Sequence, residues 1–142
     1  MKKLLFIIPL GLSLTALSCA NNNEEAIEEN TIQQASTIHE DVEVNRFAEL
    51  VSKEDGQILD VRTPEEWEEG IIKGATKMNF FDKDFNSQLE KLDKTKPVYV
   101  YCKSGGRSGK AAKQLEKMGI TSVYNLLGGM IAWEGAGKES LK

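Results

Sequence analysis

Cysteine and histidine are scarce in this 142-residue sequence, which contains two cysteines and one histidine. Two cysteines cannot build a structural zinc site, so we expect no bound metal. A cysteine–histidine hydrolase needs an imidazole beside its thiolate, and the only histidine, His39, lies at the end of an acidic segment. We therefore predict that His39 is solvated and that the chain does not use this hydrolytic chemistry.

Long apolar runs are also absent, except near the start of the chain. Met1-Lys2-Lys3 supplies positive charge, and the fourteen residues 4–17 that follow carry no charge. This run fits the hydrophobic region of an export signal and falls short of the ~20 residues that a membrane-spanning helix needs. The pattern predicts a signal peptide over residues 1–18.

The first of the two cysteines follows this run directly. Ala16-Leu17-Ser18-Cys19 resembles the lipobox of bacterial lipoproteins, whose cysteine is diacylated before the chain is cut in front of it. Ala16 and Ser18 also satisfy the small-x-small rule of a soluble-protein cleavage site, which would be cut at the same bond. We favour lipidation, because a non-lipid signal has no use for a cysteine there. Cys19 is thus predicted to anchor the protein in the bacterial cell envelope, facing the periplasm.

Positive charge is missing from the segment that follows. Residues 21–45 contain seven acids and no lysine or arginine, whereas residues 46–142 contain sixteen bases and fifteen acids. We predict an acidic flexible tether over residues 19–41, a globular domain over residues 42–137 and a tail over residues 138–142. The nearly neutral domain does not resemble a nucleic-acid-binding surface, and we expect it to be monomeric.

Strand and helix signals alternate along the domain, which implies a parallel sheet covered by helices. The predicted strands are 42–44, 57–61, 98–101 and 122–126. Five helical patterns lie between and after these strands. They begin at Asn45 as N-cap, at a Thr63–Glu66 capping box, at Phe81 with an end at Leu92, near Arg107 and after Gly129. Ligands bind beyond the carboxyl ends of such strands, which is where Cys102 lies.

The segment after Cys102 is rich in glycine and in polar residues: Lys103, Ser104, Gly105, Gly106, Arg107 and Ser108. Glycines allow consecutive backbone amides to point inward, and the helix that begins near Arg107 adds its dipole. Such surroundings lower a thiol pKa to roughly 3.5–7.5. Cys102, the only thiol left once Cys19 is lipidated, is predicted to be a thiolate at neutral pH and to make no intramolecular disulfide.

Three separated motifs together resemble a single-domain rhodanese. They are Leu59–Trp67, Cys102–Ser108 and Asn125–Trp133, and the resemblance covers residues 42–137. It implies a five-stranded parallel sheet flanked by helices, and a cysteine that carries sulfane sulfur as a persulfide without a cofactor. Asp60 and Arg62 match the family's Asp-x-Arg motif, where we expect them to brace the active-site rim.

One departure from the family is visible: Gly70-Ile-Ile-Lys-Gly-Ala75 lacks the histidine that often follows the first glycine. We assign this segment no catalytic role.

Loop length separates two activities that the rhodanese resemblance leaves open. Phosphatases of this fold have five residues between cysteine and arginine, whereas Cys102 and Arg107 enclose four, which favours a sulfurtransferase. The segment Ser104–Ala111 fails the phosphate-binding P-loop pattern at both ends. A carrier of sulfane sulfur, or a partner-binding domain without catalysis, stays open as the alternative.

Positive charge follows the cysteine. Residues 102–117 carry a net charge of +4, which would favour a small anionic sulfur donor such as thiosulfate. We prefer to interpret Lys110, Lys113 and Lys117 as the ordinary solvated face of a helix. The acceptor is expected to be a thiol or another thiophile.

Overall fold

The computed structural model of the chain describes residues 37–142. Its strands are β1 (Ile38–Val42), β2 (Gln57–Asp60), β3 (Thr76–Lys77), β4 (Val98–Tyr101) and β5 (Ser122–Leu126). Its helices are α1 (Val44–Val51), α2 (Pro64–Glu68), α3 (Phe85–Leu89), α4 (Gly106–Lys117) and α5 (Gly129–Gly135). Among residues 37–142, no helix is long and apolar enough to cross a bilayer. The predicted signal peptide, the lipidated Cys19 and most of the predicted tether lie outside the described residues.

The five strands form one sheet in the order β1-β5-β4-β2-β3, and all neighbouring strands run parallel. The predicted fold class is thereby confirmed. All four residues of the central strand β4 are buried, as expected for a strand covered on both faces. Its carboxyl end delivers Cys102 to the middle of the sheet edge, where ligands bind in this architecture.

Two apolar layers cover the sheet. On one face, α3 and α4 contribute Phe85 and Leu115 to a cluster that also contains Val100 and Cys102. On the other face, α1 and α5 contribute Phe47 and Trp133, whose rings lie edge to face with centroids 6.2 Å apart. The loop after β4 is therefore held between two packed layers.

The first strand lies further towards the start of the chain than the sequence predicted. β1 pairs with β5 from Ile38 to Val42, and α1 begins at Val44 with Glu43 as its N-cap instead of Asn45. The predicted tether therefore overlaps an edge strand. The polar residues of β1 do not predict a strand by themselves, and hydrogen bonding to β5 stabilises one. His39 is also not simply solvated: its Nδ1 lies 3.0 Å from the Glu116 carboxylate.

The segment before β4 also differs from its prediction. The apolar spacing from Phe81 to Leu92 predicted one helix, but only Phe85–Leu89 is helical and Phe81 is exposed. Asn79 explains this, because its amide donates to Asp82 at 2.8 Å and its oxygen accepts from the Phe81 amide at 3.1 Å. These bonds form a turn that competes with the first helical turn.

The predicted tail packs back onto the domain. Leu141 pairs with Ile71 through two backbone hydrogen bonds of 2.8 Å. The indole of Trp133 donates to the Glu139 carbonyl at 3.0 Å. The predicted tail therefore contacts α5 and the segment after α2.

Candidate active site

Cys102 lies at the base of a tight loop between β4 and α4, with 1% of its surface exposed. The Gly105 amide donates to the Cys102 Sγ at 3.1 Å. To do so, Gly105 adopts a left-handed φ of +93°, which residues with side chains rarely adopt. A Cβ at Gly105 would also lie 3.3 Å from the Leu126 carbonyl. The loop needs glycine here for both reasons.

Several donors surround the Cys102 sulfur. Burial raises the pKa of this thiol, but hydrogen bonds outweigh burial and lower the pKa below its ordinary value. The donors are the Ser108 hydroxyl, 3.4 Å from Sγ, and the amides of Ser108, Ser104 and Gly105. Because these donors favour the charged form, the site promotes the thiolate, in the direction predicted from the sequence.

Arg107 is held by a carboxylate that the sequence analysis did not assign to the site. Its guanidinium donates two parallel hydrogen bonds of 2.7 Å to Glu66 of α2. Glu66 also accepts from the Thr63 amide at 2.9 Å, which completes the predicted capping box of α2. Hydrogen bonding to Arg107 lowers the pKa of Glu66 to about 2. One carboxylate therefore ties the start of α2 to the cysteine loop.

The same guanidinium lies over an exposed aromatic ring. The Arg107 Cζ is 5.6 Å from the centre of the Phe81 ring, and Phe81 is 67% exposed. A cation over an aromatic face is attracted to it. Arg107 is thus fixed by Glu66 and by Phe81, and its orientation beside the Cys102 loop is set by residues from two other segments.

Asp60 and Arg62, which we expected to brace the active-site rim, form an ion pair that is fully buried. The Arg62 Nη2 lies 2.7 Å from the Asp60 carboxylate and 2.5 Å from the Gly70 carbonyl. Arg62 also lies over the Tyr101 ring at 5.6 Å. These contacts join the carboxyl ends of β2 and β4 to the segment after α2, and β4 is the strand that leads into Cys102.

The start of α5 supports the loop from the opposite side. The Met130 amide donates to the Cys102 carbonyl at 2.8 Å, and the Ile131 amide donates to the Lys103 carbonyl at 3.1 Å. Gly129 packs so closely here that an added Cβ would overlap the Cys102 carbonyl oxygen. The Gly128-Gly129 pair therefore gives α5 its close approach to the loop.

Of the residues predicted for the site, the structure brings together those from Cys102 to Ser108. Lys103, Ser104 and Gly106 are exposed on the loop, Ser108 is buried, and Cys19 lies outside the described residues. Glu66 is the functional candidate that the sequence analysis missed. Its signal was present in the capping box, but nothing local to α2 indicated a partner in α4.

Comparison with known proteins decides the family. A model of the rhodanese-like domain matches residues 43–136. The chain belongs to the rhodanese-like family. A rhodanese-like domain protein from Staphylococcus aureus has a solved structure that superimposes on this rhodanese-like chain with a TM-score of 0.61. The two are 30% identical, and the match covers 73% of this chain and 97% of the other.

Two proteins that are similar in sequence to this chain are named for different activities. Thiosulfate sulfurtransferase GlpE from Coxiella burnetii is 40% identical over 86 residues, which cover 61% of this rhodanese-like chain and 78% of GlpE. A tRNA uridine(34) hydroxylase from Pelagibacter ubique is 30% identical over 126 residues. That match covers 88% of this chain but only 36% of the hydroxylase.

Proposed function

We propose that this protein is a sulfurtransferase that moves sulfane sulfur from a small donor such as thiosulfate to a thiophilic acceptor. The observation that carries the proposal is the hydrogen-bonded Cys102 sulfur at the base of a loop with four residues before Arg107. The similarity to GlpE, which is named a thiosulfate sulfurtransferase, supports it. No cofactor takes part in the proposed reaction.

The first half-reaction loads sulfur onto the protein. The Cys102 thiolate attacks the outer sulfur of thiosulfate, a new sulfur–sulfur bond forms, and the bond to the sulfonate breaks. Sulfite leaves with the electron pair of that bond. The persulfide that remains carries a negative charge, and the donors that lower the pKa of Cys102 are available to stabilise it.

The second half-reaction removes the sulfur. An acceptor thiolate or cyanide attacks the outer persulfide sulfur, the bond to Cys102 breaks, and the Cys102 thiolate is regenerated. With 1% of its surface exposed, Cys102 favours small reactants over bulky ones.

Intact-protein mass spectrometry tests this proposal. Thiosulfate treatment should add the mass of one sulfur to the full chain, and cyanide should remove it. Cys102→Ser should show no gain while its circular dichroism matches that of the wild type. Absence of a gain with thiosulfate and with other sulfane donors would refute the proposal, and turnover measured under the same conditions distinguishes an enzyme from a carrier.

Loop length provides a second test, against a phosphatase of the same fold. The wild type should not hydrolyse aryl phosphates under conditions where it transfers sulfur from thiosulfate. A glycine inserted between Gly105 and Gly106 should reduce sulfur transfer, because it adds up to about 3.3–3.6 Å of chain and moves the amides away from Cys102. Wild-type hydrolysis of aryl phosphates faster than sulfur transfer would contradict the assignment.

We also propose that the protein is a lipoprotein of the cell envelope, acylated at Cys19. Support comes from the charged start, the fourteen-residue apolar run and the lipobox-like sequence before Cys19. Each buried CH₂ of an acyl chain contributes about 0.8 kcal/mol, so two chains anchor a protein stably. Cys19→Ser should abolish labelling by a palmitate analogue, and unchanged labelling would refute the proposal.

A further inference from the structure

A groove of about 480 Å³ runs along α4 beside the cysteine loop, on the side of the edge strand β1. Its floor contains Asn125 of β5, and one end is formed by the loop residues Ser104, Gly105 and Gly106. Gly105 therefore lines this groove and also donates its amide to the Cys102 sulfur. Gly105 is therefore shared by the groove and by the surroundings of the Cys102 sulfur.

The two long walls of the groove carry opposite charges. Lys110 and Lys113 line it from α4, and Glu40 and Asp41 line it from β1. Within residues 37–142, neither lysine lies in salt-bridge distance of a carboxylate. A ligand with both a positive and a negative group would satisfy both walls, whereas a dianion would be repelled by the β1 wall.

At the other end of the groove, Glu116 already has a partner. Glu116 lies 3.0 Å from the His39 ring, whose other nitrogen is 3.3 Å from the Ile120 carbonyl. Asp41 and Lys110 have no salt-bridge partner within residues 37–142, so their charges are available to a ligand.

A buried polar atom of a residue that lines the groove has no hydrogen-bond partner within the described part of the chain. Asn125 is 4% exposed, and its amide nitrogen donates to Asp41 at 2.7 Å. Its Oδ1 has no hydrogen-bond partner among the described residues. A buried acceptor without a donor is unfavourable, so an ammonium group that is held by Asp41 and reaches Oδ1 would supply the missing donor.

We propose that this groove binds the α-amino-carboxylate head group of a small thiol that accepts sulfur from the Cys102 persulfide. The proposal rests on the sulfurtransferase function proposed above. The ammonium group pairs with Asp41, and the carboxylate pairs with Lys110. The thiol, having lost its proton to solvent, attacks the outer persulfide sulfur, so that a low-molecular-weight persulfide and the Cys102 thiolate are produced.

Acceptor kinetics test the proposal on the purified full chain. The acceptors are L-cysteine, cysteamine, which lacks the carboxylate, and 3-mercaptopropionate, which lacks the amine. With concentrations expressed as thiolate, the KM for L-cysteine should be about fivefold or more below that of either analogue. Equal KM values for the three thiols would overturn the proposal.

Variants that remove a charge locate the head group. Cyanide is the reference acceptor, because it has no amino-carboxylate head group. For Asp41→Asn, the ratio of the thiol KM to the cyanide KM should rise by about threefold or more for L-cysteine and for cysteamine. The same ratio for 3-mercaptopropionate should not change. Lys110→Gln should affect L-cysteine and 3-mercaptopropionate and leave cysteamine unchanged. The control variants Glu90→Gln and Lys91→Gln, which change exposed residues outside the groove, should change none of these ratios. Variants of the two walls that act alike on all thiols would overturn the proposal.

A binding measurement separates failure of this proposal from failure of the proposed function. S-methyl-L-cysteine has the head group but no thiol, and it should shift the amide resonances of Gly109, Lys110 and Asn125 in the wild type but not in Asp41→Asn. Absence of these shifts at millimolar concentration, with sulfur transfer to cyanide intact, would overturn the groove assignment alone. Shifts without any transfer to cyanide would support the groove and refute the proposed function.

Discussion

Replacing Glu66 with glutamine removes one negative charge from the pair with Arg107 and preserves most other contacts. Glutamine at this position still accepts the Thr63 amide bond, because capping boxes form with either residue. The variant therefore isolates the charge that joins α2 to the loop through two bonds of 2.7 Å. We expect a lower free energy of unfolding and slower sulfur transfer, since Arg107 loses its fixed orientation.

The magnitude follows from the pKa of Glu66, which falls from an ordinary 4.5 to about 2. This difference corresponds to about 3 kcal/mol. Hydrogen bonds from Thr63 account for part of this shift, and the two side chains are 20% and 14% exposed, so the expected value for the pair with Arg107 is reduced to about 2 kcal/mol. A cycle of Glu66→Gln, Arg107→Gln and the double variant should therefore show a coupling of about 2 kcal/mol in urea denaturation at pH 7.

The sign of the pH dependence provides an independent check. The pKa of Glu66 is lower in the folded state, so its contribution is complete above the unfolded value of 4.5 and is lost as pH falls towards 2. Between pH 7 and pH 3, the wild type should lose about 1.5 kcal/mol more stability than Glu66→Gln. A coupling below about 0.5 kcal/mol, or parallel pH curves for the two proteins, would refute the reasoning.

Three further variants test other contacts of the site. Ser108→Ala removes a donor to the thiolate, so the pH midpoint of Cys102 alkylation by iodoacetamide should rise. An unchanged midpoint would show that the hydroxyl does not stabilise the thiolate. Gly129→Ala should destabilise the fold by more than about 1 kcal/mol and reduce sulfur transfer, because its Cβ would overlap the Cys102 carbonyl; Gly135→Ala in the same helix has open space and is the control in thermal denaturation. Asp60→Asn should lower the midpoint of thermal unfolding, since it leaves the buried Arg62 charge without its partner, and an unchanged midpoint would show that the pair is dispensable.

Local pattern in the sequence is sufficient to predict part of the fold and of the site. The apolar strand before Cys102, the glycines after it and the capping box at Thr63 each lie within a few residues, so backbone preference and periodicity are sufficient to predict them. The β-then-α order then predicted that Cys102 lies at the carboxyl end of a parallel strand, and the sheet order shows that this strand is central. Three motifs in order predicted the family, and the family model over residues 43–136 agrees.

The tertiary structure decided the contacts between segments that are far apart in the chain. Glu66 and Arg107 are 41 residues apart, and Asp41 and Asn125 are 84 apart. Their pairing depends on how α2 packs beside α4 and on β1 joining β5, which no local propensity specifies. The two-residue strand β3 escaped prediction and the polar strand β1 was placed too late in the chain for the same reason, because each is stabilised by its neighbour in the sheet and not by its own sequence.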